Sequence, residues 1–165
     1  MLIKPYKYFK DVTEVDIDFL KKEGIKALIL DVDNTLTLKK GEIIINGVLN
    51  WLDKMKKSGI KLIILSNAKP KRMTEVSKKL GLDFVGYGMK PLTFGYFRAA
   101  KKMGEKISDC AIIGDQLFTD IMGGNLAGVK TMLVSPKELE QTAFFKIKRG
   151  VERRFLKRYK IPCDF

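Results

Sequence analysis

Residues 25–36 read IKALILDVDNTL. A mostly apolar run ends at Asp31, and Asp33 follows after one residue. A short apolar run of this kind is a strand buried on both faces of a sheet. It delivers two carboxylates to the strand's carboxyl end, where open α/β sheets carry their sites. Two like charges so close repel, and partial burial raises the cost. A fold accepts this when a cation bridges the pair or when one carboxyl acts as an acid.

The pattern recurs along the chain. Residues 61–65 (KLIIL) run into Ser66, and residues 84–85 form a weaker run. Residues 110–114 (CAIIG) precede Asp115, and residues 131–134 (TMLV) are the last such run. Between them lie helical stretches at 47–58, 70–80, 91–103 and 120–127, each followed by glycine: Gly59, Gly81, Gly104 and Gly128. Pro70 and Pro91 each suit the first turn of a helix. In the stretch 47–58, Val48, Leu49, Leu52 and Met55 share one side. The alternation predicts an α/β fold: a mainly parallel five-stranded sheet with helices on both faces and right-handed crossovers. Residues 35–45 (TLTLKKGEIII) hold two β-type runs around Lys39-Lys40-Gly41, a hairpin flap. A helix over 16–22 leads into the first strand. After Pro136 the chain reads as helix, with Phe144, Ile147, Val151, Phe155 and Tyr159 near helical spacing.

Composition narrows the chemistry. The 165 residues include no histidine, which removes imidazole bases and imidazole metal ligands, and with them serine and cysteine triads and the usual zinc hydrolases. The two cysteines, Cys110 and Cys163, make neither a zinc site nor a disulfide framework, which suits a reducing, cytoplasmic setting. Cys110 lies in an apolar run and reads as a small buried residue. Trp51 reads as packing. No signal peptide and no membrane-spanning run is visible. The length suits a single domain, with a core over about 24–136 and a helical tail over about 137–160. Lys and Arg number 32 against 19 Asp and Glu, a net charge of +13 that suits anionic partners (nucleic acid, phosphorylated small molecules or an anionic membrane surface) and equally a soluble protein that is simply lysine-rich.

A second acidic stretch, Gly114-Asp115-Gln116-Leu117-Phe118-Thr119-Asp120, closes the fourth candidate strand. The glycine lets backbone approach closely, and Asp115 emerges beside Asp31 if the two strands are neighbours. Carboxylate oxygens with water and phosphate form a hard, octahedral site, which is Mg²⁺ chemistry. Ser66 ends one strand and Lys90 stands at a helix start. A hydroxyl, an ammonium and free helix N–H groups at one sheet edge would hold phosphate oxygens. Asn67 is either a turn residue or a substrate contact. Residues 123–131 (GGNLAGVKT) look like a phosphate loop, but Val129 separates Gly128 from Lys130 and the stretch precedes a strand rather than a helix.

Asp31-x-Asp33-x-Thr35, Ser66, Lys90 and Gly114-Asp115-x4-Asp120 together resemble, in order, all four motifs of the haloacid dehalogenase superfamily. The resemblance implies a Rossmann-like core and Mg²⁺-dependent phosphomonoester hydrolysis. It implies Asp31 as nucleophile forming an aspartyl-phosphate, and Asp33 as general acid and base. Ser66 would hold the transferring phosphoryl group and Lys90 would neutralise it. Asp31, Asp33 (through its carbonyl) and Asp115 would bind Mg²⁺, with Asp120 behind them orienting Lys90. Thr35 and Asn67 would meet substrate. The gaps from Asp33 to Ser66 and from Ser66 to Lys90 are too short for a cap domain. An open site of this kind is closed by the flap, a neighbouring subunit or the substrate, so a homo-oligomer is allowed.

The leader LIKPYKYFKDVTEVD, the two acidic stretches and the basic C-terminal helix resemble the bacterial YqeG family, related to mitochondrial phosphatidylglycerophosphate phosphatases. That resemblance implies a phosphorylated lipid as substrate, phosphatidylglycerophosphate by name. A soluble sugar-phosphate or nucleotide phosphatase stands beside it, and so does a non-catalytic module that binds RNA or membrane. Residues 146–160 (KIKRGVERRFLKRYK) carry eight Lys/Arg and one acid. An apolar stripe with a basic face suits a peripheral helix on anionic lipid. The same pattern also suits a helix packed on its own core, and a nucleic-acid contact is the least favoured.

Overall fold

The computed structural model describes residues 2–138 and 142–162, and the side chains of all of these but 143–145. In chain order the strands are β1 (Lys7–Phe9), β2 (Ala27–Leu30), β3 (Thr37–Leu38), β4 (Ile43–Ile44), β5 (Lys61–Leu65), β6 (Asp83–Val85), β7 (Cys110–Gly114) and β8 (Lys130–Val134). The helices are α1 (Ile17–Lys22), α2 (Val48–Lys57), α3 (Pro70–Leu80), α4 (Phe94–Met103), α5 (Met122–Ala127) and α6 (Ala143–Arg158).

Six strands form one parallel sheet in the order β1-β8-β7-β2-β5-β6, with β3 and β4 as a separate antiparallel hairpin. The fold is the expected α/β sandwich with its flap, and the sheet has one strand more than the five expected. The addition is β1, three half-exposed residues (KYF) that pair with β8 at the edge. An edge strand this short and polar shows neither an apolar run nor a clean alternation.

The pleat sends alternate residues to opposite faces. Leu28, Leu30, Ile64 and Ile113 join Leu52, Met55 and Met73 from α2 and α3 on one side. Ile29, Ile63 and Ile112 join Tyr96 and Ala99 of α4 on the other. Both clusters are shut from water, so β2 is buried on both faces. In α2 the buried set is Val48, Trp51, Leu52 and Met55. Trp51 replaces the expected Leu49, which is half exposed, and the indole Nε1 donates to the Val15 carbonyl at 2.8 Å. Helix α4 begins at Phe94 and not at Pro91, because residues 89–92 form a turn closed by Leu92 N–H on the Met89 carbonyl.

Helix α6 corrects the expected stripe. Among its described side chains the buried ones are Arg149, Glu152 and Leu156, while Ile147 and Val151 are exposed. Leu156 packs with Leu117, Ile121 and Leu133, and Phe155 meets Phe118 edge to face. The side chain of Phe144, and Cys163, lie outside the described residues. Cys110 is buried as expected, and burial pushes its thiol up to about 11.

Candidate active site

The topology brings four strand ends to one edge. β2 lies between β5 and β7, so Asp31 after β2 sits between Ser66 after β5 and Asp115 after β7. Lys90 comes from the loop after β6, one strand further out. Between Asp33 and Ser66 the chain forms the hairpin, a short turn, α2 and β5, and between Ser66 and Lys90 it forms α3 and β6. No cap domain interrupts either connection, and a cavity of about 640 Å³ opens over the edge.

A buried lysine organises the carboxylates. Lys90 Nζ donates to Asp31 Oδ1 at 2.5 Å and to Asp120 Oδ1 at 2.7 Å. Asp120 Oδ2 accepts from Gln116 N–H at 3.1 Å. Gly114 makes room for this: a Cβ there would lie 2.4 Å from Asp120 Cγ. Asn67 brackets the lysine backbone, its Nδ2 donating to Lys90 O at 2.9 Å and its Oδ1 accepting from Lys90 N–H at 2.7 Å. Tyr96 O–H is within reach of the carbonyls of Thr119 and Asp120, at 3.0 and 3.1 Å, fixing the loop that carries Asp120.

Asp115 is held from the C-terminal helix. Arg149 Nη2 is paired with Asp115 Oδ2, and its Nη1 donates to the Asp115 carbonyl at 2.8 Å and to Glu152 Oε2 at 2.9 Å. Glu152 Oε1 accepts from Leu117 N–H at 3.0 Å. Asp115 Oδ1 is buried without a hydrogen-bond partner. Oxygens of Asp31, Asp115 and Asp120 lie within 4.8 Å of one another, and all three residues are buried. Such a cluster of hard oxygens, one of them unpartnered, fits a divalent cation of the Mg²⁺ kind.

The electrostatics follow. Burial pushes the Asp31 carboxyl up to about 7, against the pull of Lys90, and Asp120 and Asp33 push the same way. Burial lowers Lys90, yet Asp120 and Asp31 overcome it and hold the ammonium above the usual lysine range. Burial likewise raises Asp115 well above the carboxylate range, with Arg149 opposing.

Of the residues singled out in the sequence, Asp31, Asp33, Ser66, Asn67 and Lys90 line the cavity. Asp33 is half exposed, and its Oδ1 is paired with Arg72 Nη2. Ser66 is buried, its Oγ accepting from Ala68 N–H at 3.1 Å. Asp115 and Asp120 lie behind the cavity wall. Thr35 is not in the wall; its hydroxyl is buried and unpartnered. Asn67's amide is spent on the Lys90 backbone. The sequence reading did not find Arg72, Arg149 or Glu152. Arg72 is one of several cations at the start of α3 and carries no distinguishing mark. Arg149 is masked by its basic neighbours, though Glu152, the lone acid of that run at i+3, was a usable signal.

Comparison with known proteins places the chain in a family. Residues 1–137 match the family described as mitochondrial PGP phosphatase. The chain is 36% identical to the "probable phosphatase YqeG" of Bacillus subtilis, over 92% of this chain and 88% of that protein. It is 25% identical to phosphatidylglycerophosphate phosphatase 1, chloroplastic/mitochondrial, of Arabidopsis thaliana, over 95% of this chain but only 48% of that longer protein. Among solved structures, a 4-nitrophenylphosphatase from Thermotoga maritima superposes with a TM-score of 0.61 at 14% identity, covering 72% of this chain and 89% of that one. The cobalt-bound deoxy-D-mannose-octulosonate 8-phosphate phosphatase of Haemophilus influenzae gives 0.53 at 20% identity, covering 78% and 77%. At such identities these two speak for the fold alone.

Proposed function

Because the chain belongs to the mitochondrial PGP phosphatase family, and is a phosphatase of the haloacid dehalogenase fold, we propose that it is a Mg²⁺-dependent phosphomonoesterase acting on phosphatidylglycerophosphate through a phosphorylated Asp31. One observation carries the mechanism: Asp31 lies at the floor of an open cavity with one oxygen pinned by a buried ammonium. Pinning Oδ1 orients the other carboxylate oxygen, and orientation is most of what phosphoryl transfer asks of a protein.

In this reading that oxygen attacks phosphorus, and the bond from phosphorus to the ester oxygen breaks. Asp33 gives its proton to the departing alcohol oxygen. Asp33 then takes a proton from water as the water oxygen attacks phosphorus. The bond from phosphorus to Asp31 breaks, releasing inorganic phosphate and restoring the carboxylate. Ser66 Oγ and Lys90 Nζ hold the phosphoryl oxygens through both steps. Arg72, paired with Asp33, holds that carboxyl at the cavity wall through both steps.

Asp31, the Asp33 carbonyl and Asp115 would hold Mg²⁺, with Asp120 behind them keeping Lys90 in place. A divalent ion there supplies charge neutralisation for the buried carboxylates and the phosphoryl oxygens. Arg149 and Glu152 are positioning residues that fix Asp115. The whole of residues 1–165 therefore works as one unit, α6 included.

The test is phosphate release from phosphatidylglycerophosphate and from 4-nitrophenyl phosphate, with Mg²⁺ and with EDTA. Mg²⁺-dependent release that Asp31→Asn abolishes is expected. No release from either ester, or release indifferent to Asp31, would overturn the reading. Hydrolysis of the soluble ester with none of the lipid would keep the mechanism and sink the substrate.

A further inference from the structure

The loop that carries Lys90 has an outer surface that catalysis does not use. Tyr87, Met89, Leu92, Phe94 and Phe97 are between 49% and 70% exposed. Five large apolar side chains exposed within eleven residues are more than a soluble surface usually leaves uncovered. The backbone is shaped to put them there. A Cβ on Gly88 would lie 2.7 Å from Leu65 Cδ1, and one on Gly95 would lie 2.3 Å from the Gly88 carbonyl. The chain is thus pressed inward at the glycines and at Tyr96. Tyr87 and Met89, flanking Gly88, adopt left-handed φ values of 48° and 54°, which bulky residues seldom do. Strain held in an exposed loop beside a site points to a role for that loop.

Lys90 of this loop lines the cavity, and further apolar side chains stand at the same cavity. Phe118 and Ile147 line the cavity, and Val151 is exposed one turn beyond Ile147 on α6. The framing segments are free of exposed negative charge. Residues 86–104 contain no acid, and of their four Lys/Arg, Lys90 is buried in the site and Lys102 pairs with Asp83 at the other end of β6; residues 142–162 contain eight Lys/Arg, of which Arg149 is buried, and one acid. That acid is Glu152, buried against Arg149.

We propose that this rim, residues 87–97 with Ile147 and Val151 of α6, docks the protein on an anionic bilayer with the cavity facing the headgroups. The proposal rests on the lipid-phosphate reading of the site and deepens it. Exposed apolar side chains beside the cations of α6, where Arg153, Arg154 and Lys157 share a surface with Ile147 and Val151, match a membrane interface, where hydrocarbon and anionic headgroups meet. A second copy of the chain would set one acid-free basic face against another, which repels. Nucleic acid would use the cations but has no partner for Met89, Leu92, Ile147 and Val151.

Co-sedimentation with vesicles of phosphatidylglycerol and phosphatidylcholine, which carry no phosphomonoester, tests docking apart from catalysis. The wild-type chain is expected to bind these vesicles, to bind pure phosphatidylcholine far more weakly, and to release with salt. Leu92→Ser/Phe94→Ser/Phe97→Ser should lower vesicle binding at least tenfold while hydrolysing 4-nitrophenyl phosphate at the wild-type rate. As a second measurement, Phe94→Trp should be quenched by brominated lipid, whereas Trp51 is buried in the core. Wild-type protein that ignores anionic vesicles, a triple variant that binds them equally, or an unquenched Phe94→Trp would overturn the proposal. So would a wild-type dimer that the triple substitution dissolves. Loss of 4-nitrophenyl phosphate hydrolysis in the wild type would instead count against the mechanism.

Discussion

At the scale of single residues, the site is a problem in buried charge. Asp31, Asp115, Asp120 and Lys90 are each at most 8% exposed, and one lysine serves two of the carboxylates. Asp31 titrates near 7 because burial penalises its charge. Its folded pKa is raised above the unfolded value, so the stability it lends is full below about pH 4 and is lost as pH rises through about 7. Asp115 shifts in the same direction. The metal-free protein should therefore melt progressively lower between pH 5 and pH 8, and Mg²⁺ should raise the melting temperature more at pH 8 than at pH 5. Calorimetry at both values checks this; an equal Mg²⁺ effect at the two would contradict it. Arg149 makes a second prediction. Arg149→Met leaves Glu152 buried without its cation, at a cost of about 3–5 kcal/mol. Arg149→Met/Glu152→Leu should recover much of that stability. Both variants should bind Mn²⁺ about 10–100-fold more weakly, since nothing then orients Asp115. Titration of Mn²⁺ followed by electron paramagnetic resonance separates the two effects. The four motif carboxylates were legible in the sequence because apolar strands end in them. Arg72 and Arg149 were not, because a cation's identity as a partner depends on packing that local pattern does not record.

At the scale of elements, the strands and the flap were legible and the margins were not. β2, β5 and β7 read as apolar runs because both faces are covered. β1 escaped notice because an edge strand of three residues borrows its pairing from β8. In α6 the apolar spacing misled: among the described side chains the buried ones are Arg149, Glu152 and Leu156, so a polar network joins Leu156 in anchoring the helix. The link from β7 to its carboxylates is equally tight. Gly114→Ala would drive a methyl group into Asp120, shift its hold on Lys90 and cost about 1–3 kcal/mol. Phosphatase activity should fall well beyond what that loss of stability explains, as measured by kcat at a temperature where the variant is fully folded. An active Gly114→Ala would show that Asp120 need not stay in place.

At the scale of the whole molecule, charge and topology point the same way. Residues 142–162 carry eight of the 32 Lys and Arg and one acid, so much of the net charge of +13 gathers on the segment whose helix flanks the cavity. Turnover of a lipid phosphate in vesicles should consequently fall as ionic strength rises from 0.05 to 0.5 M, by roughly tenfold or more, while turnover of a soluble ester changes little. Comparison of the two salt profiles checks this. The composition disclosed a basic protein; only the fold shows that the cations and the exposed apolar side chains share a rim. The central claim is that Asp31 is the atom-for-atom carrier of the phosphoryl group. Acid-quenched wild-type protein, mixed with 4-nitrophenyl phosphate and Mg²⁺ and analysed by peptide mass spectrometry, is predicted to carry one phosphoryl group on Asp31, absent without Mg²⁺ and in Asp31→Asn. Turnover with no phosphoryl group trapped on Asp31, or with one trapped elsewhere, would contradict the account.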